Sequence, residues 1–340
     1  MDEEIIKKLR EAILNSRNAD GHTEIDKNNY FKIENINQEK NVDNIAFVDG
    51  GNAEIFSSAE MCFGKIRTAY TLFSGKEKIA YRIFESYTLI KSKEKNGDIF
   101  YEAELMPKNE IFSDAFFEFN SMDKHLKKFN RRADIRTILG LLRRLVEIKT
   151  CSYLIKEAKN AHVVVLDGSF ECATPIEEKF MGILFEDASK NNVCIAALSK
   201  TSSLFAKNGV LASTLIKNPA PEAKWYFKVS NSNMFEFSNE DFDVYFAKLH
   251  EKSKHVFKID IFSKAHCSSS EIFSLLSNNS SDAVFPGYPY GLIEADRVAR
   301  VSNSEIAHIK NLFKAKLGNL DLDYYLNSSN AHDVLDKISF

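Results

Sequence analysis

Two runs of apolar residues in this chain stop at an Asp-Gly pair. The first is IAFVDGG at residues 45–51, and the second is HVVVLDGS at residues 162–169. Continuous β-branched runs of this length are typical of buried strands, so we predict that one strand ends at Asp49 and another at Asp167. A helical pattern at 175–190 and an apolar run at 193–200 follow, and together they predict a βαβ unit.

The remaining pattern alternates between strand-like and helix-like segments. Tyr, Phe, Ile and Thr are concentrated in segments separated by FSGKEK and KEKNGD, which is typical of a β-meander. From about residue 109 the spacing becomes helical, and Ser302 and Glu305 match a capping box before the last helix. The predicted elements are strands at 54–72, 79–91, 98–106, 222–230 and 255–261, and helices at 1–18, 132–158, 290–301 and 304–317.

These elements predict an α/β fold with one compact domain. We expect an amphipathic helix at residues 1–20, the main domain with its insertions at 40–320, and a tail or helix at 321–340. The apolar positions of the first helix favour packing on its own domain over a contact with a dimer mate or another protein.

Composition limits the kind of site that the chain can build. The cysteines form no C-x-x-C pair and the histidines no His-x-x-x-His spacing, so a metal site would have to use oxygen ligands. A net charge of −3 gives no basic footprint for tight coating of nucleic acid, although clustered carboxylates would mask a basic groove. The start lacks the order of a secretory signal, and no apolar run approaches about 18 residues. We therefore expect a cytoplasmic protein without a membrane contact.

Acidic residues recur at strand ends and on helices in a suggestive order. Asp49 and Asp167 end strands, Glu147 lies in the long helix, and Asp296 lies in a late helix. This order resembles the ribonuclease-H-like superfamily, which has a mixed sheet flanked by helices. Carboxylates at neighbouring strand ends repel one another unless cations neutralise them, and hard oxygen ligands suit two Mg²⁺ or Mn²⁺ ions.

Each acidic residue also has an ordinary structural interpretation. An Asp-Gly pair after a strand is common in turns. Glu147 stands four and three residues after Arg143 and Arg144 on the same predicted helix, and Asp296 stands four residues before Arg300, so each can form a helical ion pair.

Five motifs in order resemble the NurA nucleases, which are found with the HerA translocase. They are FVDGG at 47–51, RRLVE at 143–147, VVVLDGSF at 163–170, ALSKTS at 197–202 and YPYGLIEADRVARVS at 288–302. The resemblance implies a manganese-dependent nuclease that trims DNA 5′ ends and nicks single strands. It also implies a homodimer attached to a hexameric HerA-type ATPase during end resection.

The same resemblance assigns roles to individual residues. Asp49, Glu147 and Asp167 would bind metal, with Asp296 as a fourth ligand or a supporting group, and Lys200 would hold a phosphate oxygen. Glu102 or Glu104 is an alternative to Glu147 as the glutamate ligand.

Other residues are candidates for DNA contact. The Tyr288 ring is a candidate stacking surface for an unpaired base. Lys127, Lys128, Arg131 and Arg132, in the basic stretch KHLKKFNRR, are candidates for phosphate contacts, with exposed helix surface as the alternative.

A different class of function remains open. The chain could keep the fold as a catalytically silent module that docks DNA on a repair complex. All four acidic positions are filled, which favours the enzyme. The chain has no G-x-x-x-x-G-K-[ST] phosphate loop, so any use of ATP would depend on another protein.

Overall fold

A computed structural model describes residues 3–18, 25, 27–35, 44–106, 111, 116–157, 161–231, 234–235, 237, 239–264 and 266–318. The helices are α1 (Glu3–Asn18), α2 (Ile135–Glu157), α3 (Pro175–Asn191), α4 (Ala212–Lys217), α5 (Ser269–Asn279), α6 (Tyr290–Ala299) and α7 (Asn303–Leu317). The strands are β1 (Tyr30–Lys32), β2 (Asn44–Ser57), β3 (Met61–Ser74), β4 (Glu77–Lys95), β5 (Asp98–Met106), β6 (Phe116–Asn120), β7 (Val163–Asp167), β8 (Cys194–Ser199), β9 (Trp225–Lys228), β10 (Phe242–Lys248) and β11 (Phe257–Phe262).

The chain divides into two compact units. Unit I comprises Met1–Asn37 and Ala196–Pro289, and unit II comprises Gln38–Ile195 and Tyr290–Phe340. The strands of unit I lie in the order β1-β9-β10-β11-β8, and every pair in that series is antiparallel. The predicted tail at 321–340 lies outside the described residues.

Unit II contains a mixed sheet in the order β7-β2-β3-β4-β5-β6. The β2–β7 pair is parallel, and the others are antiparallel. Helix α2 packs on β2 and β3 and also on α3, while α6 packs on the same two strands. Gly50 faces the side chain of Glu147 on α2, whereas its neighbour Gly51 faces Ala299 at the end of α6. Because successive residues of a strand point to opposite faces, α2 and α6 cover opposite faces of the sheet.

The core of unit II lies between the meander and α2. Its buried side chains include Ile66, Ile90 and Leu105 from the strands and Leu142 and Leu145 from the helix. Burying a leucine of this kind contributes about 1.5–3 kcal/mol, so these contacts fix the position of α2 against the sheet. The helix therefore carries its polar residues to a defined place.

Local signals explain how α3 begins and ends. The Thr174 side chain accepts a hydrogen bond from the backbone of Glu177, and the Glu177 side chain accepts one from the backbone of Thr174. Pro175 occupies the first helical turn, where its missing N–H costs nothing. Asn192 ends the helix in the left-handed conformation, with φ 54°.

Most predicted elements are confirmed, but the first predicted strand end is wrong. Strand β2 continues through Asp49 and the two following glycines to Ser57, paired with β3 along that length. Only its parallel pairing with β7 stops, at Val48 opposite Leu166. The sequence signal at Asp49 therefore marks the end of one strand's pairing, not the end of the strand.

The helical interpretation from about residue 109 is also wrong in its first part. Residues 116–120 form β6, because Phe117 and Phe119 alternate inward from the sheet edge. Turns occupy 121–134, and α2 starts only at Ile135. The alternation was too short to stand out from the flanking polar residues. Strand β10 and helix α5 were also not anticipated.

Two further expectations differ from the structure. The described apolar residues of α1, Ile5, Ile6 and Leu9, are 61, 48 and 61% exposed, so they do not pack on the chain's own core. At α7, Ser302 accepts from the Glu305 backbone as a cap does, but the Glu305 carboxylate binds Lys65 on β3 instead of returning to Ser302. Among the described residues, no helix is both long and apolar enough to span a membrane.

Candidate metal centre

The two aspartates predicted from strand ends lie side by side. In the parallel β2–β7 pair, Val48 is opposite Leu166, so the next residues in each strand are Asp49 and Asp167. Neighbouring strands are about 4.8 Å apart, and residues in parallel register point to the same face. Asp49 is 5% exposed, and its Oδ1 accepts a hydrogen bond from the Gly50 amide at 2.6 Å. Both carboxylates therefore lie where the parallel pairing stops.

Glu147 reaches this place from helix α2. A Cβ atom added to Gly50 would lie 2.6 Å from Glu147 Oε1 and 2.8 Å from its Cγ. The glutamate side chain thus occupies the space that any other residue at position 50 would fill. On the opposite face, a Cβ on Gly51 would lie 2.5 Å from the carbonyl oxygen of Ala299. The Gly-Gly pair after Asp49 is required by these two close approaches.

Two arginines connect Glu147 to the backbone of β2 and to the end of β7. Arg143 donates a hydrogen bond to Glu147 and another to the Gly50 carbonyl at 3.2 Å. Arg144 lies 3.5 Å from the second Glu147 oxygen and donates to the carbonyl oxygens of Asp167 and Ser169. The predicted helical ion pairs therefore exist, and the same arginines hold Glu147 near Gly50 and Asp167.

Burial dominates the electrostatics of Glu147, which is 1% exposed. The pKa of its carboxyl is raised from the ordinary value, first because burial disfavours the charged form and further because Asp167 is also negative. Arg143 and Arg144 act in the opposite direction and lower it. The carboxylate is thus placed where an added cation would stabilise its charged form.

The donor set fits a hard divalent cation. Asp49, Glu147 and Asp167 supply carboxylate oxygens, the ligand type that Mg²⁺ and Mn²⁺ prefer, and none of the three is a soft ligand. Two of the carboxylates are buried, which is costly for like charges unless positive charge is nearby. Arg143 and Arg144 supply part of that charge.

Asp296 is held differently. Its carboxylate accepts a hydrogen bond from Arg300 at 2.8 Å, and its side chain is 42% exposed. Thr71, the cross-strand partner of Phe47, donates to the Gly291 carbonyl, while Gly51 meets Ala299. Helix α6 therefore runs along β2 from the level of Phe47 to that of Gly51. Asp296 lies between these levels, near that of Asp49, and its contact in the structure is the helical ion pair.

The alternative glutamates lie away from the cluster. Glu102 and Glu104 are on β5, which is separated from β2 by two intervening strands, or about 14 Å at 4.8 Å per step. Glu102 pairs with Lys93 and Lys95, at 3.0 Å in each case. Of these three glutamates, Glu147 is the one that lies close enough to Asp167 for that aspartate to raise its pKa.

Lys200 and Tyr288 meet within unit I. The Lys200 ammonium lies 5.6 Å from the centre of the Tyr288 ring. That ring is only 4% exposed, and it packs against Phe257 and Phe285 with centroid distances of 5.4 and 5.7 Å. The exposed stacking surface expected at Tyr288 is therefore absent in this conformation. Lys200 itself is exposed directly after β8.

The basic stretch lies in turns between β6 and α2, not on a helix surface. Lys128, Arg131 and Arg132 are exposed, and Lys127 is partly exposed. Within the described part of the chain, these four side chains make no ion pair. They remain candidates for contact with an anionic ligand.

The sequence patterns missed two groups in unit II. The helical spacing predicts Arg144 only as an ion-pair partner of Glu147, whereas its bonds to the end of β7 and the loop after it come from tertiary packing. Glu294, and not Asp296, is the buried carboxylate of α6, at 6% exposure. It binds Lys78 at 2.8 Å and Arg297 at 3.0 Å, and these bonds lower its pKa to about 2. The residues at helical spacing from Glu294, Gly291 and Val298, do not form a pattern that predicts its burial.

Comparison with known proteins identifies the family. A sequence model described as the NurA domain matches residues 43–301. The structure is similar to that of the NurA nuclease from Sulfolobus solfataricus, with 15% identity and a TM-score of 0.55 over 93% of this chain and 98% of that one. That likeness confirms the predicted ribonuclease-H-like fold, a mixed sheet flanked by helices.

Other similarities are weaker. Ciona intestinalis endonuclease V in complex with an inosine-containing DNA matches with 11% identity and a TM-score of 0.40, over 91% of this chain and 100% of that one. Human endonuclease V matches with 9% identity and a TM-score of 0.37, over 79% and 86%. No curated protein sequence matches significantly. The match of the family's domain over most of the chain shows that this protein belongs to the NurA family.

Proposed function

We propose that this protein is a divalent-metal-dependent nuclease that hydrolyses phosphodiester bonds in DNA. The observation that carries the proposal is that Asp49 and Asp167 follow the paired residues Val48 and Leu166 while Glu147 reaches Gly50 from α2, in a chain of the NurA family. Hydrolysis of a phosphodiester needs an activated water and a cation that stabilises the negative charge developing on the leaving oxygen. Two bound Mn²⁺ or Mg²⁺ ions would supply both.

The chain's own residues would position the reactants. Asp49, Glu147 and Asp167 would hold the ions, and Asp296 would serve as a fourth ligand after release of Arg300. Arg143 and Arg144 would keep Glu147 in place through their bonds to the backbone of β2 and of the loop after β7. We also propose that Lys200 binds a phosphate oxygen of the substrate.

Family membership supports a more specific biological role. We propose that the enzyme trims 5′ ends and nicks single strands during DNA end resection, with manganese as its metal, in the cytoplasm. It would work as a homodimer with a hexameric HerA-type ATPase. The exposed apolar face of α1, formed by Ile5, Ile6 and Leu9, is the segment we propose for contact with the dimer mate or the ATPase.

The decisive experiment compares cleavage by wild type, Asp49→Asn and Asp167→Asn. Linear and single-stranded DNA carrying a 5′ or a 3′ label would be incubated with Mn²⁺, Mg²⁺ or EDTA, with and without a HerA-type ATPase. Both substitutions keep the side-chain shape and remove a charge, so we expect folded proteins that bind metal weakly and do not cut. Glu104→Gln is the matched control, since it removes an exposed carboxylate from the same sheet.

The outcomes separate the candidate functions. Metal-dependent cutting by wild type and Glu104→Gln, lost in both aspartate variants, supports the nuclease. Loss of cutting in Glu104→Gln would transfer the glutamate role to β5. A wild type that binds DNA but stays inert with either metal, even beside the ATPase, would replace the enzyme with a DNA-docking module.

A further inference from the structure

A tight turn in unit II presents a phenylalanine to solvent. Between β6 and α2, the backbone amide of Arg131 donates to the Lys128 carbonyl at 3.2 Å and closes a turn through Phe129 and Asn130. The Phe129 side chain is 92% exposed. An apolar ring of this size gains nothing from complete exposure to water, so folding alone does not account for it.

The backbone of this phenylalanine is equally unusual. Phe129 has φ 55°, in the left-handed region that favours Gly or Asn. Of the three described residues other than glycine with positive φ, two are asparagines, Asn96 and Asn192. A bulky aromatic residue at such a position costs conformational energy that no packing of its side chain offsets. Strain of this kind is concentrated at functional sites.

Positive charge surrounds the exposed ring in the chain. Lys127 and Lys128 precede Phe129, and Arg131 and Arg132 follow it. None of these four cations is in an ion pair within the described ranges. The nearby acidic residue Asp134 is already held by Arg136.

Hydrogen bonds at both ends hold the segment in place. The Asn120 carboxamide accepts from the Met122 amide at 2.8 Å, and the Ala133 amide donates to the Ser121 carbonyl at 2.8 Å. The Tyr101 hydroxyl donates to the Ala133 carbonyl at 2.6 Å from within the core. The turn is therefore a formed projection whose shape does not depend on a ligand.

We propose that this turn binds single-stranded DNA. The Phe129 ring stacks on an unpaired base, and the flanking lysines and arginines contact the phosphates of the strand. The inference rests on the proposed nuclease function and adds a contact remote from the carboxylates. Aromatic rings stack on any base, and free lysine and arginine side chains contact the backbone, so the combination fits a single strand of any sequence. Charge complementarity favours this ligand over an apolar protein surface.

The position of the turn defines where the strand would be held. Helix α2 starts at Ile135 and reaches Glu147 after 12 residues, or about 18 Å at 1.5 Å per residue. That length corresponds to about five nucleotides at the 3.4 Å spacing of a duplex strand. Phe129 would therefore contact a base about five nucleotides or more from the cleaved bond.

Binding in EDTA tests the contact without cleavage. Fluorescence anisotropy would measure the affinity of wild type, Phe129→Ala and Phe129→Asn for a thymidine strand of about 15 nucleotides. A strand of equal length without bases keeps the phosphates and removes the stacking partners. We expect both variants to bind the thymidine strand about tenfold more weakly and the abasic strand equally well. Phe116→Ala is the matched control, since Phe116 is 59% exposed on β6 of the same unit.

A substitution with tryptophan reports stacking directly. The chain's single tryptophan, Trp225, is 1% exposed, so a tryptophan at position 129 would give a separate emission. We expect thymidine strands to quench the emission of Phe129→Trp and abasic strands to leave it unchanged. Phe129→Asn also relieves the backbone strain, so its weaker binding could not be attributed to a destabilised fold.

The outcomes distinguish this contact from the nuclease proposal. If wild type binds and cuts while the Phe129 variants bind the thymidine strand as tightly, the stacking contact is refuted and the nuclease is unaffected. If wild type and Phe129→Trp bind as expected but nothing cuts with metal, the contact holds and the nuclease does not. Unchanged DNA binding together with loss of a dimer in sedimentation would assign the turn to self-association and overturn the proposal.

Discussion

Gly50→Ala is the most informative single substitution in the proposed metal centre. Position 50 lies in a paired strand, opposite Thr68, so an alanine backbone is permitted there. Its Cβ would lie 2.6 Å from Glu147 Oε1 and 2.8 Å from Cγ. Ordinary contacts lie near 3.5 Å, so the Glu147 side chain must withdraw by about 0.9 Å. Overpacking of this kind costs about 1–3 kcal/mol in the free energy of unfolding.

The expected effect on catalysis is larger than the effect on stability. Displacing a catalytic group by about 1 Å lowers a rate by about 100-fold, so we expect Gly50→Ala to fold and to cut DNA roughly 100 times more slowly than wild type. Single-turnover cleavage of labelled single-stranded DNA with saturating Mn²⁺ measures the rate. Calorimetric titration with Mn²⁺ measures metal affinity, and urea unfolding measures stability.

Gly140→Ala provides the matched control on the same helix as Glu147. A Cβ at Gly140 meets nothing within 4 Å, so alanine should stabilise α2 by about 1 kcal/mol and leave the cleavage rate unchanged. The placement of Glu147 in the reacting site would be refuted if the Gly50→Ala protein lost stability as expected but still cut DNA at the wild-type rate.

Three further predictions concern carboxylates of unit II. Because burial raises the pKa of Glu147, Glu147→Gln should lose cleavage but unfold at a higher urea concentration than wild type at neutral pH. This difference in stability should narrow as the pH falls towards 4.5, since the folded wild type then takes up a proton at Glu147. Equal stability at every pH would contradict this. For Glu294 the charged carboxylate stabilises the fold instead of destabilising it. Its pKa is lowered to about 2 by Arg297 and other partners, so wild type should exceed Glu294→Gln by about 1–2 kcal/mol at neutral pH and lose that advantage between pH 4.5 and about 2. Finally, Glu305→Gln removes the negative charge that binds Lys65, which is 5% exposed, and Arg67, each at 2.6 Å, and should speed amide exchange in α7 and cost about 1–2 kcal/mol. Unchanged exchange in α7 would show that other contacts hold this helix.

The sequence alone determined the parts of the fold that depend on local pattern. The apolar runs before Asp49 and Asp167 predicted β2 and β7, and helical spacing predicted α2, α3, α6 and α7. Periodicity reports which residues share a face of an element, so it is a reliable guide for long segments. The ordered motifs also indicate the family without any geometry.

Only the tertiary structure decided how those parts meet. That β2 continues past Asp49 depends on β3 pairing with it, and the choice of Glu147 over Glu102 depends on α2 crossing Gly50. The burial of Tyr288 likewise follows from its contacts with residues distant in sequence. These outcomes are set by contacts between separate elements, whose free energies do not appear in any local window of the chain. The sequence could therefore propose the carboxylates, and packing against Gly50 placed Glu147 beside β2.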